Sequence, residues 1–375
     1  MRIGILTLPL HVNYGGILQA YALQTVLERM GHEVVVIDRK LTIKSTWRKD
    51  ILSYPYRAFK KYCLRKNCKI RWEVAYRKEQ SLLMSKIQKF IDQNLHVFHV
   101  ENLEDIHERQ FDAIVVGSDQ IWRKTYFCAS VNSDVSTAFL SFTEGWNIKR
   151  IAYSASFGVD AWEYSAEETQ RCLEAAKLFD AISVRELSGV RLCQEYLHRE
   201  AVCTLDPTLL LSDLDYLKLL GKEKVGDEKR QKQLFVYVLD KTEEKRMLVE
   251  KIAHDKNLAV SEFDISRKRS VCVEPCNSVE SWIDGIRNAE LVVTDSFHAC
   301  IFSIIFHKPL VAVVNNGRGA SRFQTLCSLL GVGDNMLSDV TMYDDTKSYA
   351  IPDMAYENLQ KLREKSLDYL QKSLM

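Results

Sequence analysis

The side chain with the clearest chemical potential in this sequence is His298. It lies in the segment ELVVTDSFHACIFSIIFHKPLVAVV at 290–314, whose pattern predicts a buried strand, a polar turn, an apolar helix and a second strand. Asp295 or Ser296 can cap that helix, which would place its first-turn N–H groups and the His298 ring together at the carboxyl end of a strand. Ligands of open α/β sheets bind at that edge, so the pattern predicts an anion site. The alternative is a capped helix with a buried, hydrogen-bonded histidine.

Arg185 is a second candidate for binding an anion. It follows the apolar run Ala181–Val184, which predicts a buried strand, and it therefore leaves that strand at the same kind of edge. A guanidinium group can bind a phosphate or a carboxylate through two parallel hydrogen bonds. Alternatively, Arg185 pairs with Glu186 or with another carboxylate.

Further cations lie near predicted helix ends in the second half of the chain. Arg318 belongs to the segment NNGRGAS at 315–321, a Gly-containing loop that follows a predicted strand and could close over a ligand. Arg322 begins the helix after this loop, and Lys308 precedes the strand before it. Most charged side chains only face water, so each of these cations alone is a weak indicator of a site.

Small and polar side chains follow three predicted strands of the first half. As candidates for binding a substrate we select Asn13, Tyr14, Gly15, Gly16, Ser118, Asp119, Gln120, Ser154 and Ser156. Two adjacent glycines in the first loop allow a ligand to approach the backbone closely. That loop lacks the GxGxxG spacing, which argues against a dinucleotide. The alternatives are a tight turn in the first loop and a helix cap at Asp119.

The elements that would position these residues alternate between strands and helices. Short apolar, β-branched runs predict strands at 2–8, 33–38, 112–117, 150–154, 181–184, 234–239, 258–263, 290–294 and 310–314. Helical patterns connect them, so we expect an α/β fold of two Rossmann-like, doubly wound domains with a cleft between them. The predicted boundaries are 1–211, 212–350 and a C-terminal helix at 351–375.

Charge is balanced over the whole chain but not along it. The 375 residues contain 51 Lys and Arg and 50 Asp and Glu, whereas residues 39–78 contain 14 basic and two acidic residues, a local charge of +12 (14 − 2). The ten cysteines form no CxxC pair, so neither a metal site nor a disulfide framework is expected. The lack of a secretory or membrane-spanning apolar run predicts a cytoplasmic protein.

Seven motifs in chain order carry a resemblance to a known family. They are NYGGILQAYAL at 13–23, VVGSDQIW at 115–122, YSASFG at 153–158, SVRE at 183–186, DPTLLL at 206–211, TDSFHA at 294–299 and SRFQTLCSLLG at 321–331. Together they resemble the polysaccharide pyruvyl transferase family. The resemblance implies a glycosyltransferase-B-like fold, with the acceptor on the first domain and the donor on the second.

The resemblance also implies an activity. It indicates a transferase that moves the enolpyruvyl unit of phosphoenolpyruvate onto a sugar of a bacterial-type surface polysaccharide, such as an exopolysaccharide or a capsule, or onto its lipid-linked precursor. The product is a pyruvate ketal, and phosphate is released. Phosphoenolpyruvate is the donor substrate, and no further cofactor or metal is implied.

The family's phosphoenolpyruvate-binding Arg and His fall, by this resemblance, on Arg185 and His298. One departure concerns Ser296, because many members carry an Arg at this position, two residues before the His. Loss of that charge would weaken the donor site. Arg322 or Arg318 could supply the missing cation.

The chemistry of the donor assigns a role to each candidate. Phosphoenolpyruvate carries a phosphate and a carboxylate, so its site needs a guanidinium group, a histidine and N–H groups at a helix start. His298 would bind the phosphate and donate a proton, Arg185 would bind the anion, and Asp119 would activate the sugar hydroxyl. Asn13 and Tyr14 would contact the acceptor sugar.

Two other functions stay open at the level of sequence. A nucleotide-sugar-dependent glycosyltransferase on the same scaffold would need a carboxylate for the ribose, for which Glu274 and Glu280 are candidates. A non-catalytic sugar-binding component of polysaccharide assembly would account for Ser296. The basic segment 39–78 predicts either peripheral contact with the inner face of the cell membrane or a solvated insertion. No motif beside it indicates a nucleic-acid partner.

Overall fold

All nine predicted strands are present in the computed structural model, which describes residues 1–39, 47–63, 72–131, 133–221, 232–263, 276–314 and 319–375. The strands of the first sheet are β1 (Arg2–Leu6), β2 (Glu33–Arg39), β3 (Val97–Val100), β4 (Ala113–Val116), β5 (Lys149–Ala155), β6 (Ala181–Val184) and β7 (Val202–Cys203). They pair in parallel in the order β3-β2-β1-β4-β5-β6-β7. The chain order reverses between β1 and β4, which opens a crevice at the carboxyl edge between them.

A second parallel sheet follows in the second half of the chain. Its strands are β8 (Gln233–Tyr237), β9 (Ala259–Glu262), β10 (Leu291–Thr294), β11 (Leu310–Val313) and β12 (Met336–Leu337). They pair in the order β12-β11-β10-β8-β9. Here the order reverses between β8 and β10, so the second crevice lies beside the strand that precedes His298. The two parallel sheets confirm the predicted fold class of two doubly wound α/β domains.

Helices connect the strands and cover the sheets. Their bounds are α1 (Tyr14–Arg29), α2 (Trp47–Tyr62), α3 (Trp72–Asn94), α4 (Lys124–Val131), α5 (Ala166–Ala176), α6 (Leu187–Tyr196), α7 (Asp213–Leu217), α8 (Glu243–Asp255), α9 (Val279–Arg287), α10 (Phe297–Ile305), α11 (Ala320–Leu330) and α12 (Asp353–Leu374). Every side chain of α10 is buried, which explains why its sequence is apolar all around. None of the described helices has the length and apolar character needed to cross a lipid bilayer.

The C-terminal helix α12 returns to the first sheet. The hydroxyl of Tyr369 donates to the carbonyl of Ala152 in β5 at 3.3 Å. The guanidinium of Arg363 donates to the carbonyls of Leu209 and Leu211 at 2.8 and 3.1 Å. The end of the chain therefore packs on the domain in which the chain begins.

Candidate functional site

The predicted residues of the first half gather at the carboxyl edge of its sheet. Asn13 to Gly16 follow β1 and begin α1, because the side chain of Asn13 accepts the backbone N–H of Gly16 at 3.2 Å and caps that helix. Ser118, Asp119 and Gln120 follow β4. These two loops border the reversal of strand order, and Asn13 Nδ2 donates to Asp119 Oδ2 across it at 3.2 Å. The crevice is therefore lined by residues that were selected as candidates for binding a substrate.

A buried carboxylate, Asp206, joins the two halves of the site. Nη1 of Arg185 donates to Asp206 Oδ2 at 2.8 Å, and Nε2 of Gln19 donates to the same oxygen. From the other domain, Nε2 of His298 lies 3.6 Å from that oxygen. Arg185, Asp206 and His298 are each at most 7% exposed. The structure thus brings together the two predicted donor residues through a third that was not predicted.

The charges around Asp206 keep it ionised. Burial by itself raises the pKa of a carboxyl group, but the proximity of His298 and the charge of Arg185 outweigh burial and hold the pKa of Asp206 well below its usual range. Its other oxygen accepts the backbone N–H and the hydroxyl of Thr208 at 3.0 and 2.6 Å. Asp206 is a permanent anion against which a guanidinium group and an imidazole are positioned.

A second buried guanidinium group, that of Arg322 in α11, lies beside Arg185. The guanidinium carbons of Arg185 and Arg322 lie 5.1 and 5.2 Å from the ring centre of Phe297. Burial, followed by the repulsive charge of Arg185, lowers the pKa of Arg322 to about 10. These two cations lie among the carboxylates of Asp206 and Asp119, so the pocket carries both signs, and its guanidinium groups are the part that can bind an anion.

Several donors in this pocket have capacity for a ligand. In the described part of the chain, Nε and Nη2 of Arg185 and Nε2 of His298 have no hydrogen-bond partner although they are buried. Nη2 of Arg185 has only a charge contact, with Asp119 Oδ1 at 3.7 Å. Buried donors are almost always paired, so these groups are suited to an anion placed between the domains.

The His298 ring lies directly against α1. A Cβ atom added to Gly15 would lie 2.0 Å from Nδ1 of His298, so the domain contact requires glycine at this position. The backbone of the predicted first loop thus approaches the donor histidine itself. Gly15 therefore contributes to the site by its lack of a side chain.

Some predicted site residues direct their polar groups inward. The hydroxyl of Tyr14 donates to the carbonyl of Asn277 at 2.8 Å, its ring stacks on Trp282, and burial raises the pKa of Tyr14 well above its usual value. Ser118 Oγ donates to the carbonyl of Ser154 at 2.9 Å. For these residues, contact with a substrate stays a prediction.

The remaining candidates are placed as follows. Ser156 Oγ donates to Glu186 at 2.9 Å, and Gln120 accepts from Arg123 at 3.1 Å. Ser154 Oγ is buried and has no hydrogen-bond partner among the described residues. Ser296 caps α10, and its Oγ accepts the backbone N–H of Ala299 at 3.5 Å. Arg318 and Glu274 lie outside the described residues, and Glu280 lies in the first turn of α9.

The second crevice is occupied by the chain itself. The Asp295 carboxylate accepts the backbone N–H groups of Leu239 and Asp240, which follow β8, at 2.6 and 3.0 Å. Lys245 of α8 donates to the same carboxylate at 2.7 Å. Across the parts of the chain that the structure describes, no three His, Cys, Asp or Glu side chains come close enough together to hold a metal ion.

Sequence reasoning missed three contributors to the site. Asp206 begins the motif DPTLLL, and a carboxylate before a proline just after a strand could have indicated a site residue. Gln19 lies in the motif NYGGILQAYAL, where a polar side chain within an apolar helix could have indicated a buried hydrogen bond. Nothing in the sequence marked Phe297 as a site residue, because an aromatic residue in a buried helix is usually part of the core.

Comparison with solved structures supports the fold. Arabidopsis thaliana UGT89C1 complexed with UDP-L-rhamnose has a TM-score of 0.50 at 10% identity, covering 100% of this chain and 99% of its own. UDP-GlcNAc 2-epimerase from Neisseria meningitidis bound to UDP-GlcNAc has a TM-score of 0.50 at 10% identity, covering 99% of this chain and 100% of its own. A putative UDP-N-acetylglucosamine 2-epimerase from Listeria monocytogenes has a TM-score of 0.50 at 11% identity, covering 99% of this chain and 90% of its own. These similarities establish the glycosyltransferase-B architecture.

Comparison with known sequences identifies the family. No curated protein matches the chain. The family model for polysaccharide pyruvyl transferase matches residues 13–317, well over half of the chain. That range contains Arg185, Asp206 and His298 and ends just before α11. The chain therefore belongs to the polysaccharide pyruvyl transferase family.

Proposed function

We propose that the protein transfers the pyruvyl unit of phosphoenolpyruvate onto a sugar of a surface polysaccharide or of its lipid-linked precursor. The observation that carries this proposal is the pair of buried guanidinium groups, Arg185 and Arg322, at the ring of Phe297, together with Nε2 of His298, which lies 3.6 Å from the Asp206 oxygen that binds Arg185. One carbon of phosphoenolpyruvate bears both a phosphate ester and a carboxylate. Two guanidinium groups and an imidazole match these anions better than one cation would.

We assign to Arg322 the cationic role that Ser296 cannot fill. Many family members place an arginine two residues before the histidine, whereas Ser296 here is the cap of α10. Arg322 reaches the same ring, Phe297, from the start of α11 and thereby supplies a second cation. This arrangement favours a catalytic protein over a sugar-binding component that has lost its donor site.

The proposed reaction proceeds at one carbon of the donor. A proton adds to the methylene carbon, and one sugar hydroxyl forms a C–O bond with the neighbouring carbon. The bond from that carbon to the phosphate oxygen then breaks, and its electron pair leaves with phosphate. A second hydroxyl closes the ketal. The two hydroxyl protons balance the proton taken up by carbon and the one carried away by phosphate.

The roles of the residues follow from their positions. Arg185 and Arg322 hold the phosphate and the carboxylate and stabilise the charge that develops on the leaving group. His298, beside Asp206, carries the proton delivered to the donor. Asp119 lies at the acceptor crevice near Asn13 and accepts a proton from the attacking hydroxyl. Each acid–base role is worth about 10²–10⁴-fold in rate.

The nucleotide-sugar alternative is less well supported. A nucleotide phosphate would bind at the reversal of strand order in the second sheet, where backbone N–H groups attract anions. Those N–H groups are already used by Asp295, which is itself paired with Lys245. A nucleotide phosphate in this crevice would therefore lie against the negative charge of Asp295.

The experiment that tests the function measures release of phosphate from phosphoenolpyruvate by the purified protein. Pyranosides with free 4- and 6-hydroxyl groups serve as acceptors, because two such hydroxyls can close a six-membered ketal. Arg185→Ala and His298→Ala should each lower turnover by more than about a hundredfold. Arg191→Ala and His254→Ala are matched controls, because both side chains are well exposed.

The donor is also tested without an acceptor. Phosphoenolpyruvate should raise the unfolding temperature of the wild type, and it should have a much smaller effect on Arg185→Ala. UDP-sugars should leave the unfolding temperature unchanged. Stabilisation by a UDP-sugar and not by phosphoenolpyruvate would replace the proposal with its nucleotide-sugar alternative.

A further inference from the structure

Helix α2 presents an aromatic face to solvent. Tyr56, Phe59 and Tyr62 are 59%, 54% and 70% exposed. At 3.6 residues per turn, these three side chains lie within an arc of about 120° on one side of the helix, and the exposed Pro55 falls in the same arc. Large aromatic side chains rarely cluster on a surface without a partner. We call these four residues the α2 face.

Basic residues border the α2 face. The ammonium group of Lys60 lies 4.7 Å from the ring centre of Tyr56, and that of Lys61 lies 5.8 Å from the ring centre of Tyr62. The surrounding sequence, residues 39–78, carries a charge of +12 (14 basic minus two acidic residues). An apolar face edged by lysines is complementary to a surface with a negative exterior and an apolar interior.

The helix after the α2 face is fixed to both domains. The side chains of Ile87, Phe90 and Ile91 in α3 are buried in the core. The backbone carbonyl of Leu83 in α3 accepts the N–H of Cys276 in the second domain at 3.1 Å. Cys276 directly precedes the residue whose carbonyl binds the hydroxyl of Tyr14. Helix α3, which follows the α2 face in the chain, is thus attached to both domains near the cleft.

We propose that the α2 face binds an anionic lipid bilayer, with its aromatic rings inserted at the level of the headgroups. Tyrosine and phenylalanine favour this boundary, and each nearby basic residue adds attraction to anionic lipid. A second copy of the chain is a poorer partner, because two such basic segments repel each other. A single-stranded nucleic acid needs a groove that follows its backbone, whereas this face is the convex surface of a helix.

This inference does not depend on the donor chemistry. It states that the protein holds itself against an anionic membrane surface through α2. If the protein binds membranes but has no pyruvyl transfer activity, the inference still holds. If it is active but does not bind membranes, the proposed function still holds.

The test is flotation of the full chain with vesicles. Vesicles of phosphatidylcholine alone are compared with vesicles that also contain phosphatidylglycerol, each at low and at high salt. The wild type should float with the anionic vesicles at low salt, float less at high salt, and stay unbound with phosphatidylcholine alone. Thermal unfolding of each variant checks that it is folded.

Two sets of substitutions separate the aromatic and the basic contributions. Combined Tyr56→Ser, Phe59→Ser and Tyr62→Ser should lower the apparent affinity for anionic vesicles at least tenfold, and Lys60→Gln should lower it by about fivefold. The matched control is Leu214→Ser, Met247→Ser and Met354→Ser, three apolar side chains that are 64%, 59% and 57% exposed elsewhere. This control should bind like the wild type.

Three results would overturn the inference. The first is recovery of the wild type in the unbound fraction with every vesicle. The second is an aromatic triple variant that floats as well as the control. The third is binding to single-stranded RNA that competes with vesicles and is unaffected by the aromatic substitutions, which would make the segment a nucleic-acid site.

Discussion

Replacing Arg322 by methionine should make the ligand-free protein more stable and its complex with the donor weaker. Methionine keeps the unbranched, flexible stem of the side chain, although it is shorter than arginine, and it removes the charge. In the wild type, burial and the nearby charge of Arg185 disfavour the charged guanidinium group. If Arg322 binds the donor as proposed, the bound anion should offset this unfavourable free energy.

The pKa of Arg322 gives the size of the effect. That pKa is about 10, roughly 2.5 below the ordinary value of an arginine, and this difference corresponds to about 3 kcal/mol of unfavourable free energy in the folded state. Loss of the polar contacts of the guanidinium group costs about 1 kcal/mol, so the net gain for Arg322→Met is about 2 kcal/mol. This unfavourable free energy is constant below pH 10, where Arg322 is protonated in both the folded and the unfolded state. It decreases as the pH rises through 10, because the folded protein releases this proton before the unfolded protein does.

Differential scanning fluorimetry with and without phosphoenolpyruvate measures both effects. The ligand-free variant should unfold a few degrees above the wild type at pH 7 to 9. Its affinity for phosphoenolpyruvate should fall about 10- to 100-fold, the value of one or two charged hydrogen bonds. Arg191→Met, at an exposed side chain, should change neither quantity. A ligand-free Arg322→Met protein that unfolds below the wild type, or that responds to phosphoenolpyruvate as the wild type does, would refute the reasoning.

Three further predictions concern buried groups. Gly15→Ala should lower turnover at least about a hundredfold by displacing His298, while Gly333→Ala, whose added methyl group meets nothing within 4 Å, should have no effect. Asp206→Asn should destabilise the protein by about 3–5 kcal/mol. Because the folded pKa of Asp206 is depressed, the difference in unfolding temperature should be constant above pH 5 and shrink as pH falls below about 4, and a difference that grows in acid would contradict the assignment. Cys193 should resist iodoacetamide at pH 8 in the native protein, as judged by mass spectrometry, because burial raises the pKa of its thiol to about 12.

The longer buried strands could be predicted because their composition is unambiguous. The run AIVV of β4 is apolar throughout, and its side chains are buried on both faces as expected. Strand β3 (VFHV) was missed because, unlike the equally short β4, it is only half-buried and contains a histidine. Helix α1 begins at Tyr14, although Gly15 and Gly16 are typical of loops in sequence. The cap at Asn13 decides the helix start.

The position of the candidate site could be predicted better than its contacts. Arg185 and His298 were identified because each follows a buried strand, and the topology then places both at carboxyl edges. Their meeting at Asp206 depends on how the two domains pack, which no local pattern encodes. For the same reason, the approach of Arg322 to the Phe297 ring could not be predicted from the sequence.

The pair Asp295–Lys245 has a consequence for how this scaffold can evolve or be redesigned. Loss of Asp295 alone leaves the largely buried Lys245 without its anion, and loss of Lys245 alone leaves a fully buried carboxylate without its cation. Either step is costly, because removing one partner of a buried pair leaves an uncompensated charge. Conversion of the second crevice into a phosphate-binding site by loss of Asp295 therefore leaves Lys245 and the N–H groups of Leu239 and Asp240 without an anion until a phosphate binds. Such variants should be unstable without a ligand, and a new donor specificity should first appear among those that a phosphate-bearing ligand stabilises.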